Sequence, residues 1–187
     1  MRATTLFLIC IVLFSIGAPG QDDLRKQIVK LSALPAPQRS AINSAIQQWN
    51  RQFPQKPKDN SATLGGDASV ATIRLGPSDE PDLVVTDDSG CSPTGNCSIF
   101  VLRPTKDEYR VALEATGQII TATPARANGF RNIKVRMHGS ATMSEIKIYR
   151  FNGIRYVRSG CYNETFEEID KDGNVQELDT PRMTPCQ

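Results

Sequence analysis

The side chains that could do chemistry in this 187-residue chain are few: five cysteines, one histidine and two short acidic runs. Four cysteines, Cys91, Cys97, Cys161 and Cys186, lie beyond the first twenty residues. Zinc sites favour cysteines two to four residues apart, often with histidine. Here one pair brackets five residues and the other 24, and His138 lies elsewhere, so neither a metal nor another cofactor is expected. Four cysteines allow three disulfide pairings. Cys91–Cys97 and Cys161–Cys186 are the favoured ones, because Ser92-Pro93-Thr94-Gly95-Asn96 is turn-prone and the C-terminal tail has little else to tie it down. On the chain-entropy model the shorter loop contributes about 2.4 kcal/mol and the longer about 3.5 kcal/mol. Cysteines that all pair leave no free thiol for nucleophilic catalysis.

The other candidates read as structure. His138 stands near Ser140, but geometry defines a catalytic triad, not adjacency, and no Gly-x-Ser-x-Gly elbow surrounds the serine. Asp87 and Asp88 are neighbours, and on a strand neighbours point to opposite faces. Asp170-Lys171-Asp172-Gly173-Asn174 has its glycine fourth rather than sixth and lacks a glutamate at position twelve, so it is a hairpin turn rather than a calcium loop. No catalytic set emerges, and a non-enzyme is expected.

The compartment follows from the N-terminus. Arg2 precedes an eleven-residue apolar run, Leu6 to Ile16, and Ala18 and Gly20 supply small residues before Gln21. That is the anatomy of a secretory signal peptide over residues 1–20. The run is shorter than the roughly 20 residues a membrane helix needs. A soluble, secreted or periplasmic protein with no membrane span is expected. Without Arg2 the formal charge falls from +2 to +1, which gives no basic excess to hold nucleic acid.

The expected fold class is α+β. Residues 21–53 read as a helical pair: Leu24, Ile28 and Leu31 recur at helical spacing, Pro35-Ala36-Pro37 breaks the pattern, and Ile42, Ala45, Ile46, Trp49 and Phe53 form a second stripe. Residues 54–62 form a polar linker. From residue 63 to 187 the period becomes two, with ten short strands separated by Gly, Pro, Asp and Asn turns, as in an antiparallel meander. Two of those short strands are Arg155–Arg158 and Phe166–Ile169.

The β region carries a weak internal repeat. Asp82, Leu83 and Val85 match Asn132, Ile133 and Val135 at an offset of 50, while Ile99, Arg103 and Tyr109 match Ile146, Arg150 and Tyr156 at 47. Stacked β-units and propeller blades repeat at about this period, but two copies cannot close a propeller. The stretch Gly76 to Val85 (GPSDEPDLVV) resembles the end of an FG-GAP or VCBS-type repeat, and Asn128-Gly129-Phe130-Arg131-Asn132-Ile133 resembles the same ending in a second copy. With the leader, this is similar to secreted bacterial proteins that carry such a β-domain over roughly residues 64–160. The family's calcium-binding Asp-x-Asn-x-Asp-Gly run is absent before Asp82, so the resemblance brings no calcium with it.

Charge is unevenly distributed. Residues 126–158 hold eight basic side chains against Glu145, a balance of +7, while residues 61–125 and 159–187 are each −5. Period two places Lys134, Arg136 and His138 on one strand face, and Lys147 and Tyr149 alternate against Ile146 and Ile148 on the next strand. If the two strands pair, a basic ladder with an aromatic edge is expected, with Lys134, Arg136, Lys147, Tyr149 and Arg155 as binding residues. The expected function is a non-catalytic extracytoplasmic module that binds an anionic polymer or an acidic protein by charge complementarity. The rival expectations are a secreted hydrolase of polysaccharide or peptide, which needs facing carboxylates or a nucleophile and base, and an enzyme inhibitor, which needs the Cys91–Cys97 loop to project.

Overall fold

A computed structural model of the chain describes residues 28–52, 64, 67–106 and 108–187. The expected signal peptide and the whole of the expected linker lie outside these residues, as do Leu24 and Phe53. Among the described residues there is one α-helix, α1 (Ala36–Gln52), and a helical pair is not shown. The described part of the first expected helix is a two-residue strand, β1 (Val29–Lys30), followed by a 3₁₀ turn over Leu31–Ala33. Val29 pairs opposite Val70, and the Leu31 amide donates to the Ala68 carbonyl. The β-branched side chain and the available sheet edge outweigh three apolar residues at helical spacing. Pro35-Ala36-Pro37 does not interrupt a helix but begins one. Proline is tolerated in a first turn, where its missing N–H has no partner to lose.

Nine longer strands follow: β2 (Ser69–Ile73), β3 (Asp82–Asp87), β4 (Cys97–Pro104), β5 (Tyr109–Gly117), β6 (Ile119–Ala127), β7 (Phe130–Ser140), β8 (Met143–Phe151), β9 (Tyr156–Ile169) and β10 (Val175–Pro185). They form two antiparallel sheets in simple meander order, β1 to β5 and β6 to β10. The expected strands Arg155–Arg158 and Phe166–Ile169 are the two ends of one 14-residue strand, β9, which continues through Ser159-Gly160.

The sheets and the helix stack as three layers. Helix α1 places Ile42, Ala45 and Ile46 on Val70, Leu83, Val85, Phe100, Leu102 and Val111 of the first sheet. The other face of that sheet, including Val84, Ile99, Val101 and Leu113, packs on Ile120, Ile133, Val135, Tyr149 and Phe151 of the second. Burial on both faces explains why β3 and β4 read as continuous apolar runs (LVV, IFVL) while β7 and β8 alternate. The passage from one sheet to the other is tight. A Cβ on Gly117 would lie 2.5 Å from a Val135 methyl and 2.8 Å from the Arg136 carbonyl oxygen.

The internal repeat is present in the hydrogen-bond register. Val85 lies opposite Phe100, and the residues 50 and 47 further on, Val135 and Lys147, lie opposite each other. Val70 opposite Val85 becomes Ile120 opposite Val135. Ile99 opposite Ala115 becomes Ile146 opposite Tyr162. Even the bulge recurs: pairing slips between Val101 and Leu102 in the first copy and between Ile148 and Tyr149 in the second. Strands β2 to β5 and β6 to β9 are thus two copies of one four-stranded unit. They stack head to tail, because the face that the first copy turns to α1 corresponds to the face that the second turns to the first sheet.

Gly117→Ala should destabilise the protein by about 1–3 kcal/mol in denaturant unfolding, because the neighbouring carbonyl cannot yield as a flexible side chain would. An unchanged midpoint would mean that the sheets are not held this closely.

Candidate functional site

Directly opposed residues of an antiparallel pair share a face. Lys134 is opposite Ile148 and Arg136 opposite Ile146, whereas Val135 is opposite Lys147 and Ile133 opposite Tyr149. The register therefore divides the expected ladder. Lys134, Arg136 and His138 stand on the far face of the second sheet, turned away from the first. Lys147 and Tyr149 lie on the near face, where Tyr149 is only 8% exposed within the inter-sheet core. Burial pushes the Tyr149 hydroxyl above its ordinary pKa, so it is a core phenol rather than an aromatic edge. Lys147 pairs with Glu145 at 2.9 Å and Arg136 with Glu164 at 2.8 Å. The strands are neighbours as required, but the one-residue offset between them puts the two basic sets back to back.

Arg155 is elsewhere again, in the β8–β9 turn where Asn152 accepts from the Ile154 and Arg155 amides. It lines a 250 Å³ cleft with Gln48, Trp49 and Gln52 of α1 and Arg110 of β5. The Trp49 indole N–H donates to Glu114 at 2.7 Å, which fixes the ring at the cleft wall.

The densest polar cluster joins the two copies at one end of the stack. Asp82 opens β3, only 4% exposed, and lies 3.4 Å from Arg103 of β4. The Arg103 guanidinium sits over the rings of Phe130 and Phe151, 4.0 and 4.8 Å from their centroids. Phe151 also packs on Tyr156, whose hydroxyl donates to the Arg131 carbonyl oxygen. The Arg131 amide in turn donates to the Leu75 carbonyl oxygen. An ion pair from the first copy thus clamps an aromatic cluster of the second, and the cation is held by ring faces as well as by its carboxylate. Desolvation raises the Asp82 pKa to about 6, although Arg103 and the Leu75 amide pull the other way. Burial likewise raises the Tyr156 phenol.

Both favoured disulfides are present, Cys91–Cys97 and Cys161–Cys186. Each lies beside a carboxylate, Asp88 or Glu145, but sulfurs bonded to each other offer no thiolate to a metal. The first loop packs back on the fold: the Asn96 side chain donates to the His138 carbonyl and accepts from the His138 amide, both at 2.8 Å. Asp87 caps a short 3₁₀ turn while Asp88 pairs with Lys30, so the two carboxylates are separately employed. Asp170 accepts from the Asp172 and Asn174 amides and orders the β9–β10 hairpin tip, with Gly173 at φ +84°. Among the described residues no helix is long and apolar enough to cross a membrane.

No protein-family model, curated protein or solved structure matches the chain. The clamp was not among the residues expected to bind, yet its signal was in the repeat alignment, where Asp82 matches Asn132 and Arg103 matches Arg150.

The clamp gives stability a pH dependence of definite sign. Asp82 has a higher pKa folded than unfolded, so its contribution is greatest below about pH 4 and is lost as pH rises through about 6. A shift of this size corresponds to about 3 kcal/mol. Asp82→Asn should flatten the wild-type decline between pH 4 and pH 7 by roughly that amount in urea unfolding. Parallel pH profiles for the two proteins would contradict the assignment.

Proposed function

We propose that the protein is a non-catalytic extracytoplasmic binding module that holds an acidic protein surface against the far face of its second sheet. The observation that carries this reading is the repeat. The corresponding face of the first copy is an interface, buried against the second sheet through Val84, Ile99, Val101 and Leu113. In the second copy the matching positions are Lys134, Ile146, Ile148 and Gly160. Half of the apolar character is kept: Ile146 is 1% exposed although it lies on this face, and Tyr162 and Ile119 stand beside it, partly exposed. The substitutions add cations, Lys134 for Val84 and Arg136 for Thr86. A polar outer face is also what keeps a terminal repeat soluble. The face thus keeps Ile146 and Tyr162 beside Lys134, for which no ion pair is formed among the described residues, and buried aliphatics with a tyrosine and an arginine are what interface cores favour.

The two disulfides suit an oxidising compartment. The acidic charge of the partner follows from complementarity, which steers encounter and fixes register. Poly-L-glutamate is the simplest probe. Its binding should weaken about tenfold between 25 and 200 mM salt as screening shortens the range of the field. Lys134→Glu should weaken it comparably at the lower salt. Affinity indifferent to both changes would overturn the reading.

A further inference from the structure

We propose that Arg150 and Asn132 are a second copy of the Asp82–Arg103 clamp, and that Arg150 grips an aromatic side chain flanked by carboxylates on the protein partner. The inference rests on the far-face reading above and adds the chemistry of what is held.

Three observations converge. First, the equivalence is positional and not merely compositional. Leu83 is opposite Leu102 and Ile133 is opposite Tyr149, so the next step of each ladder brings together Asp82 with Arg103 and Asn132 with Arg150. In the first copy that step forms the ion pair seen at 3.4 Å. Second, the environments differ in one respect. The rings that Arg103 covers, Phe130 and Phe151, belong to the next unit in the stack. Among the described residues no further unit covers the second copy, and Arg150 is exposed, with Val157 beside it across the ladder as a partly exposed apolar shelf. Third, the charge balance changes. Asn132 replaces the carboxylate, so Arg150 keeps a full positive charge that Arg103 shares with Asp82. Asn132 itself is only 5% exposed, so contact with a ligand falls to Arg150.

A guanidinium placed to stack on an arriving ring, next to Lys134 and lacking its own carboxylate, selects a ligand with both features. The ring supplies the face that Phe130 supplies to Arg103, and the flanking acids supply the charge that Asp82 supplies. Lysine substitutes poorly, because a compact, strongly hydrated ammonium lacks the planar face that lies flat on a ring.

The experiment compares two glutamate-rich peptides that differ only in a central Phe or Ala, titrated calorimetrically into the full protein and into Arg150→Lys. On the wild type the Phe peptide should bind about fivefold or more tightly than the Ala peptide, within the range of a partly desolvated cation–π contact. In Arg150→Lys the two peptides should converge to within about twofold, while poly-L-glutamate binding is retained because the charge is retained. Unchanged near-ultraviolet circular dichroism would show that the variant is folded. If the Phe preference is absent from the wild type, or persists in Arg150→Lys, the clamp is overturned while the far face stands. If poly-L-glutamate itself fails to bind, both readings fall.

Discussion

The structure depends on burying both faces of one sheet. Strands β3 and β4 are apolar on either side, and a sheet with such strands at its centre is stable only with a layer above it and a layer below. Helix α1 supplies one cover and the second sheet the other. Removing either would expose a largely apolar surface of Val, Leu, Ile, Phe and Ala. The two sheets are tied at one end by the Asp82–Arg103 clamp and at the other by Asn96, which hydrogen-bonds to both backbone groups of His138.

Head-to-tail stacking of two copies leaves two unlike ends. A heterologous arrangement does not close on itself unless a rotation returns it to its start, and two units cannot make that rotation. One end is finished by α1. At the other, Lys134 stands where the first copy has Val84 and Arg136 where it has Thr86, which leaves a cationic, partly apolar face. Under the proposed function, recognition rests on the same residues that make this face polar, Lys134, Arg136 and Arg150.

Much of this was legible in the sequence, and the reasons for the rest are local. Period two located almost every strand, because a half-buried sheet needs alternation. The disulfides followed from a turn-prone loop and a loose tail. The offsets of 50 and 47 marked the repeat, though not that it would extend to the bulge after Val101. What failed was sensitive to a single residue of register. Lys134 and Lys147 each lie on a basic-looking strand face, and only the pairing of Val135 with Lys147 reveals that those faces are opposite. The first expected helix failed because Val29 found a sheet edge at Val70, a partner 41 residues away that no local pattern encodes.

Native-state hydrogen exchange tests the doubly covered sheet most directly. The amides of β3 and β4 should exchange only through global unfolding, together with their counterparts in β7 and β8, as one cooperative unit. The β9–β10 ribbon beyond Thr165, which pairs with no third strand, should open locally and faster. Exchange of β3 and β4 at the rate of that ribbon, or two sheets that open as independent units of different stability, would contradict a single stack built around the first sheet.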